Sequence, residues 1–514
     1  MRRALVSGLI AACFAAACLV GACQGAPAAP AGTDADTVAW WRITGQLSGD
    51  DMEGRDTGSA GHVRAVDYVT KKFAAAGLKP VGDNGGWTQT LPLKEVRVEK
   101  AGTSFAVVRG DGTKADLQFL HQITVRPTAE LPASLDAPLS FRGYCSAAEM
   151  GADMRGKVAV CFGNRRSGLP GGGDRMKAAA DAGAAGLINV DDPGFTIEPS
   201  RWPEAYARAI TVRDAAAPAS PRLVVMRLSA DALADVVAGS GQSASDILAR
   251  GATSKPLPVF DVPARIRATF ALSRRDLQSD NVLALLPGTD PVVGKEIVIV
   301  SAHIDGYGFG EPVKGDALYN GAFDDAAYVA TMIRLAEQRA GKGFRRSVLF
   351  AVYTGEEKGL LGSYWFSEHL TVPKEDLAAV INLDQLRPLF PLKILTMHAI
   401  DTTTLNENVQ RVAAGMGIEI RPDMEPERNL NQRTDHWPFL RIGVPATNFV
   451  FGFDPGTEAE RRYREWYQVR YHRPQDDMGQ PLDFRAAGDM NTFFYRLTED
   501  VANDPKRPAF LKAN

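Results

Sequence analysis

The sequence predicts an α/β fold in which a mostly parallel mixed sheet is sandwiched by helices and interrupted by a β-rich insertion. From Asn281 onward, apolar runs such as EIVIVSAH and SVLFAVYT alternate with amphipathic runs such as DDAAYVATMIRLAEQ. Continuous β-branched runs separated by helices are typical of parallel strands that are covered on both faces. Before that point, strand-like segments dominate from about Leu93 to Phe270, which indicates the insertion.

The segment before these strands, from Val38 to Gly77, is predicted to be largely helical. HVRAVDYVTKKFAAAG places Val63, Val69, Phe73 and Ala74, among others, at the spacing of one helix face. The glycine that follows is a natural end for such a helix. The spacing therefore predicts a helix that ends near Gly77.

Length and charge limit the function classes. A chain of 514 residues is too long for one compact core, so two or three domains are expected. The net charge is −3 and no basic tract stands out, which argues against a nucleic-acid partner. The composition is that of an ordinary globular protein.

The N-terminus carries the features of an export signal. MRR is followed by an apolar stretch from Ala4 to Ala22, and VGAC at its end resembles a bacterial lipobox in which Cys23 becomes lipidated. This predicts an exported protein, periplasmic or anchored in the outer membrane, whose membrane contact is the lipid on Cys23. Plain cleavage near the following APAAPAGTDA segment is the alternative. No second apolar stretch is long enough to cross a bilayer.

Two cysteines, Cys145 and Cys161, remain outside the predicted signal. In an exported protein, two remaining cysteines are a natural disulfide pair. Two buried free thiols are the alternative.

Polar side chains follow several of the predicted strands. His303, Glu356, Glu357 and Asp384 each come directly after an apolar run, and ligands bind beyond the carboxyl ends of parallel strands. Adjacent glutamates repel each other, so we expect a cation to compensate them if they are buried. Singly, each residue has a plain structural explanation, such as a core histidine or a solvated turn.

Further imidazole and carboxylate groups occur nearby in the sequence: Asp305, Asp324, Asp325 and His472. A mixture of imidazoles and carboxylates suits Zn²⁺ or a similar divalent ion. An aspartate before a helix is commonly only a cap. The prediction of a metal site therefore rests on the co-occurrence of these residues.

The order of motifs gives a resemblance. AHID is followed by YNGAFDDAA, YTGEEKGLLGS, VINLD, RTDHWPF and YHRPQDD, between Ser301 and Asp477. This series resembles the di-zinc aminopeptidase and glutamate carboxypeptidase family of co-catalytic zinc exopeptidases. GKVAVCFGNRR followed by KAAADAGAAGLINVDDPG resembles a protease-associated domain, inserted in some members of that family.

The resemblance implies two Zn²⁺ ions and a ligand set. Asp324 would bridge the ions, His303 and Asp384 would complete one site, and Glu357 and His472 would complete the other. The peptide between Asp324 and Asp325 would be cis.

The resemblance also implies catalytic roles. Glu356 would be the general base that acts on a metal-bridging water, and Asp305 would orient the imidazole of His303. Tyr471 matches a tyrosine that helps to hold the oxyanion in carboxypeptidase-like relatives; interface packing is its alternative. His436 is expected only near the site.

Two residues depart from the family pattern. Phe323 stands where many relatives carry an acidic residue, and Tyr328 stands where they usually carry glycine. Neither is a ligand position, so the departures bear on the shape of the pocket.

The predicted organisation is a signal peptide over residues 1–23, a linker over 24–36, a zinc peptidase domain over 37–98 and 270–507, and the inserted domain over 99–269. The predicted function is that of an exported metallopeptidase acting on the N-terminus of peptides.

Two other functions remain open. A carboxypeptidase of the glutamate-releasing type would need a basic pocket, for which Arg387, Arg428, Arg433 and Arg473 are the candidates. A non-catalytic binding protein of the same fold would have no need of the full ligand set.

Overall fold

The computed structural model describes residues 29–163, 168–193, 202–213 and 223–511, so the predicted signal peptide and Cys23 lie outside the described residues. The helices within this part are α1 (Ala35–Leu47), α2 (Ala60–Ala75), α3 (Gly172–Asp181), α4 (Leu233–Val237), α5 (Ala244–Gly251), α6 (Ala327–Arg339), α7 (Leu361–Glu368), α8 (Leu405–Ala414), α9 (Trp437–Arg441), α10 (Glu458–Val469) and α11 (Phe484–Asn503). None of these described helices has the length and apolar character needed to cross a bilayer.

The strands in the same residues are β1 (Lys79–Pro80), β2 (Thr88–Val98), β3 (Ser104–Arg109), β4 (Lys114–Leu117), β5 (Ile123–Val125), β6 (Ser134–Arg142), β7 (Val158–Phe162), β8 (Gly186–Val190), β9 (Arg208–Val212), β10 (Val224–Leu228), β11 (Val259–Thr269), β12 (Leu272–Leu286), β13 (Ile297–His303), β14 (Gly308–Val313), β15 (Asp316–Tyr319), β16 (Ser347–Tyr353), β17 (Leu377–Asn382), β18 (Ile394–Met397), β19 (Glu419–Arg421), β20 (Ala446–Thr447) and β21 (Phe449–Phe451).

The main sheet has the strand order β20-β17-β13-β16-β12-β2-β9, and β1 pairs with β12. Pairing is parallel from β20 to β16 and antiparallel from β16 to β9. The predicted α/β fold with a mixed sheet is confirmed, but parallel pairing is limited to four strands. Helices α6 and α7 make the crossovers between those strands, whereas the long strand β12 returns beside β2 and is therefore antiparallel.

Helices cover both faces of this sheet because its central strands are apolar on both sides. Val298 and Val300 of β13 face a core that includes residues of α1, α2, α6 and α11. Ile297 and Ile299 point the other way, into a smaller core with residues of α7 and α9. Burying each such side chain contributes about 1.5–3 kcal/mol.

Helix α2 packs on the sheet through a face that differs slightly from the predicted one. Val69 and Phe73 are buried as expected, but Val63 is 58% exposed and Ala74 is also exposed. Val63 lies six residues before Val69, which places it about 120° around the helix from that residue. Helical spacing alone therefore misplaced the edges of the buried face.

The second sheet has the strand order β4-β3-β11-β6-β7-β8-β10-β5 and a core of its own. All of its strands come from the range 99–269. Strand β9 comes from the same range but pairs with β2 in the main sheet, where Val212 lies opposite Leu93. The predicted domain limits and the likeness to a protease-associated domain stay predictions.

A disulfide joins Cys145 to Cys161, with 5.5 Å between the two Cα atoms. Both residues are buried beside Met154, Ala179 and Leu187 at the other face of the second sheet. The bond ties the loop after β6 to strand β7, so it cross-links neighbouring parts of the inserted region.

Replacing both cysteines, as Cys145→Ala/Cys161→Ala, should destabilise the protein. The cross-link spans 16 residues, and loop-closure entropy for that length is worth about 3 kcal/mol in the free energy of unfolding. Urea denaturation of the oxidised wild type and the double variant measures the difference. Wild type treated with a reductant is the control and should approach the variant; equal midpoints before reduction would contradict the prediction.

Candidate metal centre

Three neighbouring parallel strands bring the predicted site residues to one edge of the main sheet. His303 is the last residue of β13, Glu356 and Glu357 lie in the turn after β16, and Asp384 follows β17. His303 is in register with Tyr353, the last residue of β16. The sequence-predicted positions beyond the strand ends therefore come together in space.

Two groups of candidate metal ligands share Asp324. In one group, the ligand atoms of His303, Asp324 and Asp384, together with Asp325, all lie within 4.8 Å of one another. In the other group, the same limit holds for Asp324, Glu357 and His472. Each group contains the residues that the resemblance assigned to one metal.

The carboxylate of Asp324 lies between the two imidazoles. Its Oδ1 is 3.5 Å from Nε2 of His303, and its Oδ2 is 3.3 Å from Nε2 of His472. Nε2 of His472 is also 3.7 Å from Oε1 of Glu357. The peptide that follows Asp324 is cis, as the resemblance implied.

Several oxygens of this centre are buried and have no hydrogen-bond partner in the described part of the chain: both oxygens of Asp324, Oδ1 of Asp325, Oε1 of Glu357 and Oδ1 of Asp384. Unpartnered buried carboxylate oxygens are costly unless a cation compensates them. Imidazole nitrogen and carboxylate oxygen are ligands that Zn²⁺ accepts. The residues present therefore fit zinc.

The pKa values of the two glutamates are raised where negative charges are crowded together away from water. Burial, reinforced by Glu357 and Asp384, raises the pKa of Glu356 well above its ordinary value. Burial also raises the pKa of Glu357 to about 7. Burial alone would raise the pKa of Asp324 as well, but the nearby imidazoles of His303 and His472 and the guanidinium of Arg387 hold it well below its usual range. The positively charged neighbours of Asp324 therefore stabilise its ionised form.

Asp305 fixes the turn that carries the two glutamates. Its carboxylate accepts hydrogen bonds from the amides of Glu356, at 3.1 Å, and Glu357, at 3.4 Å. Toward His303, the closest atom is the backbone carbonyl of Asp305, 3.1 Å from Nδ1, whereas the carboxylate is 3.6 Å away. Asp305 thus contacts the imidazole through its main chain, and the predicted orienting role of its carboxylate stays a prediction.

Tyr471 packs tightly beside the centre. Its ring stacks on that of His472, with centroids 3.6 Å apart, and it also contacts Trp466 and Tyr467. Such contacts are those expected if Tyr471 serves in packing, which is the alternative to a role toward an oxyanion. Tyr471 also lines the cavity at the centre, so its role toward an oxyanion stays a prediction.

A cavity of about 470 Å³ opens onto the centre. Asp324, Glu356, Glu357 and His472 line it, as does Arg433. A volume of this size accommodates a small ligand. The carboxylates and the cavity therefore form one site.

Sequence reasoning missed two tyrosines that contact the predicted ligands. The hydroxyl of Tyr307 donates to Glu357 and lies 3.1 Å from both nitrogens of His472. The hydroxyl of Tyr206 lies 2.9 Å from Nδ1 of His472. Tyr307 follows AHID by two positions, which was a usable signal, but Tyr206 comes from the inserted range and has no local signal.

The comparisons with known proteins agree with this geometry. Residues 281–497 match the family model of peptidase family M28. Those residues form a peptidase family M28 domain. The match begins in β12 and ends in α11, so α1, α2, β2 and β9 lie outside it, although they pack on the same sheet or belong to it.

The curated relatives are distant. A "Probable zinc metalloprotease" of Pyrenophora tritici-repentis is 28% identical over 236 residues, which cover 39% of this chain and 52% of the relative. A "probable leucine aminopeptidase 2" of Aspergillus oryzae is 23% identical over 371 residues, which cover 69% of this chain and 64% of the relative. The chain thus spans between half and two thirds of the length of these two proteins.

A solved structure shows that the fold extends beyond the M28 domain. The aminopeptidase from Aneurinibacillus sp. strain AM-1 superposes with a TM-score of 0.59 at 17% identity, over 94% of this chain and 97% of that protein. The likeness covers the range of the insertion as well as the main sheet.

Arg387 is a structural residue of the M28 domain and not part of a substrate pocket. Its guanidinium is fully buried and donates to the carbonyl of Phe323 at 2.8 Å and to the hydroxyl of Tyr328 at 2.7 Å. It also lies 3.7 Å from Oδ2 of Asp324. The two departures from the family pattern are therefore neighbours of one buried cation behind Asp324.

The other arginines considered for a carboxylate pocket also have defined positions. Arg428 is buried and donates to Glu425 and to the hydroxyl of Tyr463. Arg473 donates to backbone carbonyls. Of the four candidates, Arg433 alone is among the residues described as lining the cavity.

His436 belongs to the motif series but is not a member of either ligand group that shares Asp324. Its ring nitrogens are 2.7 Å from Oγ1 of Thr434 and 2.9 Å from Oδ1 of Asn431. Both nitrogens are thus already engaged, and the expectation that His436 lies near the site stays a prediction.

Replacing Arg387 by methionine should destabilise the M28 domain. Removing one partner of a buried charge pair typically costs about 3–5 kcal/mol, because the other charge stays buried without compensation. Urea denaturation of chelator-treated Arg387→Met and wild type measures this. Tyr328→Phe is the matched control, since it loses one hydrogen bond and should cost about 1 kcal/mol. An Arg387→Met protein as stable as wild type would show that Asp324 does not depend on this cation.

Proposed function

We propose that this protein is a di-zinc exopeptidase that releases residues from the N-terminus of peptides. The observation that carries the proposal is the pair of ligand groups that share Asp324, whose two oxygens face the imidazoles of His303 and His472. The M28 domain and the aminopeptidases among its relatives support the same activity.

In this proposal, His303, Asp324 and Asp384 hold one ion, and Asp324, Glu357 and His472 hold the other. Zinc in such a site lowers the pKa of water and polarises the carbonyl under attack. The chain itself supplies the shared carboxylate and the cavity that opens onto the two ligand groups.

Glu356 is the general base of the proposal. Its carboxylate lines the cavity, and its backbone amide is held by Asp305. It accepts the proton of the attacking water and passes that proton to the leaving amine. The neighbouring Glu357 belongs to the ligand group of His472 and is not the base in this proposal.

A carboxypeptidase is the second candidate, and one observation favours it. Arg433 lines the cavity, where a guanidinium suits the terminal carboxylate of a peptide. The other three arginines considered for that purpose bond other protein groups and are not among the residues that line the cavity. We therefore place the aminopeptidase first.

A panel of short peptides with free and blocked ends distinguishes the two activities. We expect cleavage of peptides with a free amino terminus, and none after N-acetylation, because the carboxylates of the site suit an ammonium group. Amidation of the carboxyl terminus should have little effect. Liquid chromatography of the products measures this; cleavage that requires the free terminal carboxylate would favour the carboxypeptidase instead.

The two adjacent glutamates should respond differently to substitution. Glu356→Gln keeps shape and removes no ligand, so zinc content and fold should be unchanged, while kcat falls about 10²–10⁴-fold because the amide cannot accept a proton. Glu357→Ala should lose zinc from one site, because a direct ligand is removed.

Zinc content and kcat are measured on both variants beside wild type. Near-normal kcat in Glu356→Gln with full zinc would show that Glu356 is not the base. Loss of zinc from Glu356→Gln would show that the roles of the two neighbours are exchanged.

A further inference from the structure

The segment Pro203–Arg208, in the inserted range, is attached to the main domain at several points. Pro203 forms a β-bridge with Gly310, and Arg97 of β2 donates to Glu204 at 2.7 Å. At the other end of the segment, Arg208 opens strand β9, which pairs with β2, and its guanidinium bonds Glu95. The backbone of this segment is therefore held on both sides of Tyr206.

Between these attachments, the segment contacts His472 and the residue that follows Glu357. The carbonyl of Ala205 accepts a hydrogen bond of 2.8 Å from the ammonium of Lys358, which directly follows Glu357. That lysine side chain is only 4% exposed. The next residue, Tyr206, places its hydroxyl 2.9 Å from Nδ1 of His472. Consecutive residues of the insertion thus contact the surroundings of Glu357 and His472.

The two nitrogens of His472 face different partners. Nε2 faces the carboxylates of Asp324 and Glu357, at 3.3 and 3.7 Å. Nδ1 faces the hydroxyl of Tyr206. A histidine that binds a metal commonly donates its other N–H to an oxygen, which fixes the tautomer and the orientation of the ring. Tyr206 provides such an oxygen.

Tyr307 does not perform the same task. Its hydroxyl lies at the same distance, 3.1 Å, from both nitrogens of His472 and donates to Glu357. A partner equally close to both nitrogens does not select between them. The Tyr206 ring meets that of Tyr307 edge to face, with centroids 5.4 Å apart, which keeps Tyr206 in place.

We propose that Tyr206 is a positioning residue for the zinc site of His472 and Glu357, so that the inserted region completes that site. The inference rests on the proposed function, because it concerns the affinity of one of the two zinc sites. The hydroxyl oxygen of Tyr206 accepts a hydrogen bond from Nδ1–H of His472 and holds Nε2 toward the carboxylates. The other group, formed by His303, Asp324 and Asp384, has no contact with the segment Pro203–Arg208 among the described hydrogen bonds and ion pairs.

The test is a zinc titration of the full chain against a competing chelator. Tyr206→Phe removes the hydroxyl and keeps the ring. We expect one of the two binding steps to weaken about 10–100-fold, the usual effect of losing such a partner, and the other step to stay as in wild type. With Co²⁺ in place of zinc, the absorption bands of one site should change.

Tyr144→Phe is the matched control, because its hydroxyl donates to the carbonyl of Lys255 at 2.7 Å within the inserted range. It loses a comparable hydrogen bond, and both zinc steps should stay as in wild type. Thermal denaturation of the metal-free proteins should give similar midpoints for the two variants.

Wild-type zinc affinity in Tyr206→Phe, or an equal loss in Tyr144→Phe, would overturn the inference and leave the proposed function intact. A much lower midpoint for metal-free Tyr206→Phe than for Tyr144→Phe would also overturn it, since the hydroxyl would then have a structural role. Wild-type protein that binds no zinc would instead overturn the proposed function.

Discussion

Negative charge held away from water is the constraint on which the site depends. Six carboxylates lie at one edge of the main sheet, largely shielded from solvent: Asp305, Asp324, Asp325, Glu356, Glu357 and Asp384. Such a group is stable only if positive charge and hydrogen-bond donors compensate it. Part of the compensation comes from two imidazoles, the guanidinium of Arg387 and backbone amides. The carboxylate oxygens that have no hydrogen-bond partner are those best placed to bind a cation.

The sheet explains why these groups meet. Parallel strands end at the same edge, so the two crossovers through α6 and α7 bring His303, the two glutamates and Asp384 together from distant parts of the sequence. Antiparallel pairing on the other side of the sheet serves a different purpose. It lets the chain leave through β2 and return through β12 while the edge that carries the site stays unchanged.

The sequence predicted those parts of the site that depend on local pattern. His303, Glu356, Glu357 and Asp384 each follow a strand, and strand ends are visible in a run of apolar residues. Residues that act through distant contacts were not predictable in the same way.

Three examples show the limit. Tyr206 meets His472 across 266 residues, and the attachments on both sides of Tyr206, including the pairing of β9 with β2, bring it there. Arg387 lies close to Asp384 in sequence, which suggested contact with substrate, but its side chain points into the core. Val63 is exposed because the sheet packs on another side of α2. The spacing of apolar residues along the helix does not by itself determine that side.

The pairing of β9 with β2 has a consequence for how the inserted region can move. The ladder joins residues 93–97 to residues 208–212 by main-chain hydrogen bonds. A swing of the insertion as a hinged cover would break that ladder and expose an unpaired sheet edge, which favours association with other chains. Residues 208–212 are thus tied to the main sheet, so a movement of the inserted region that keeps this ladder leaves the neighbouring segment that carries Tyr206 in place beside His472.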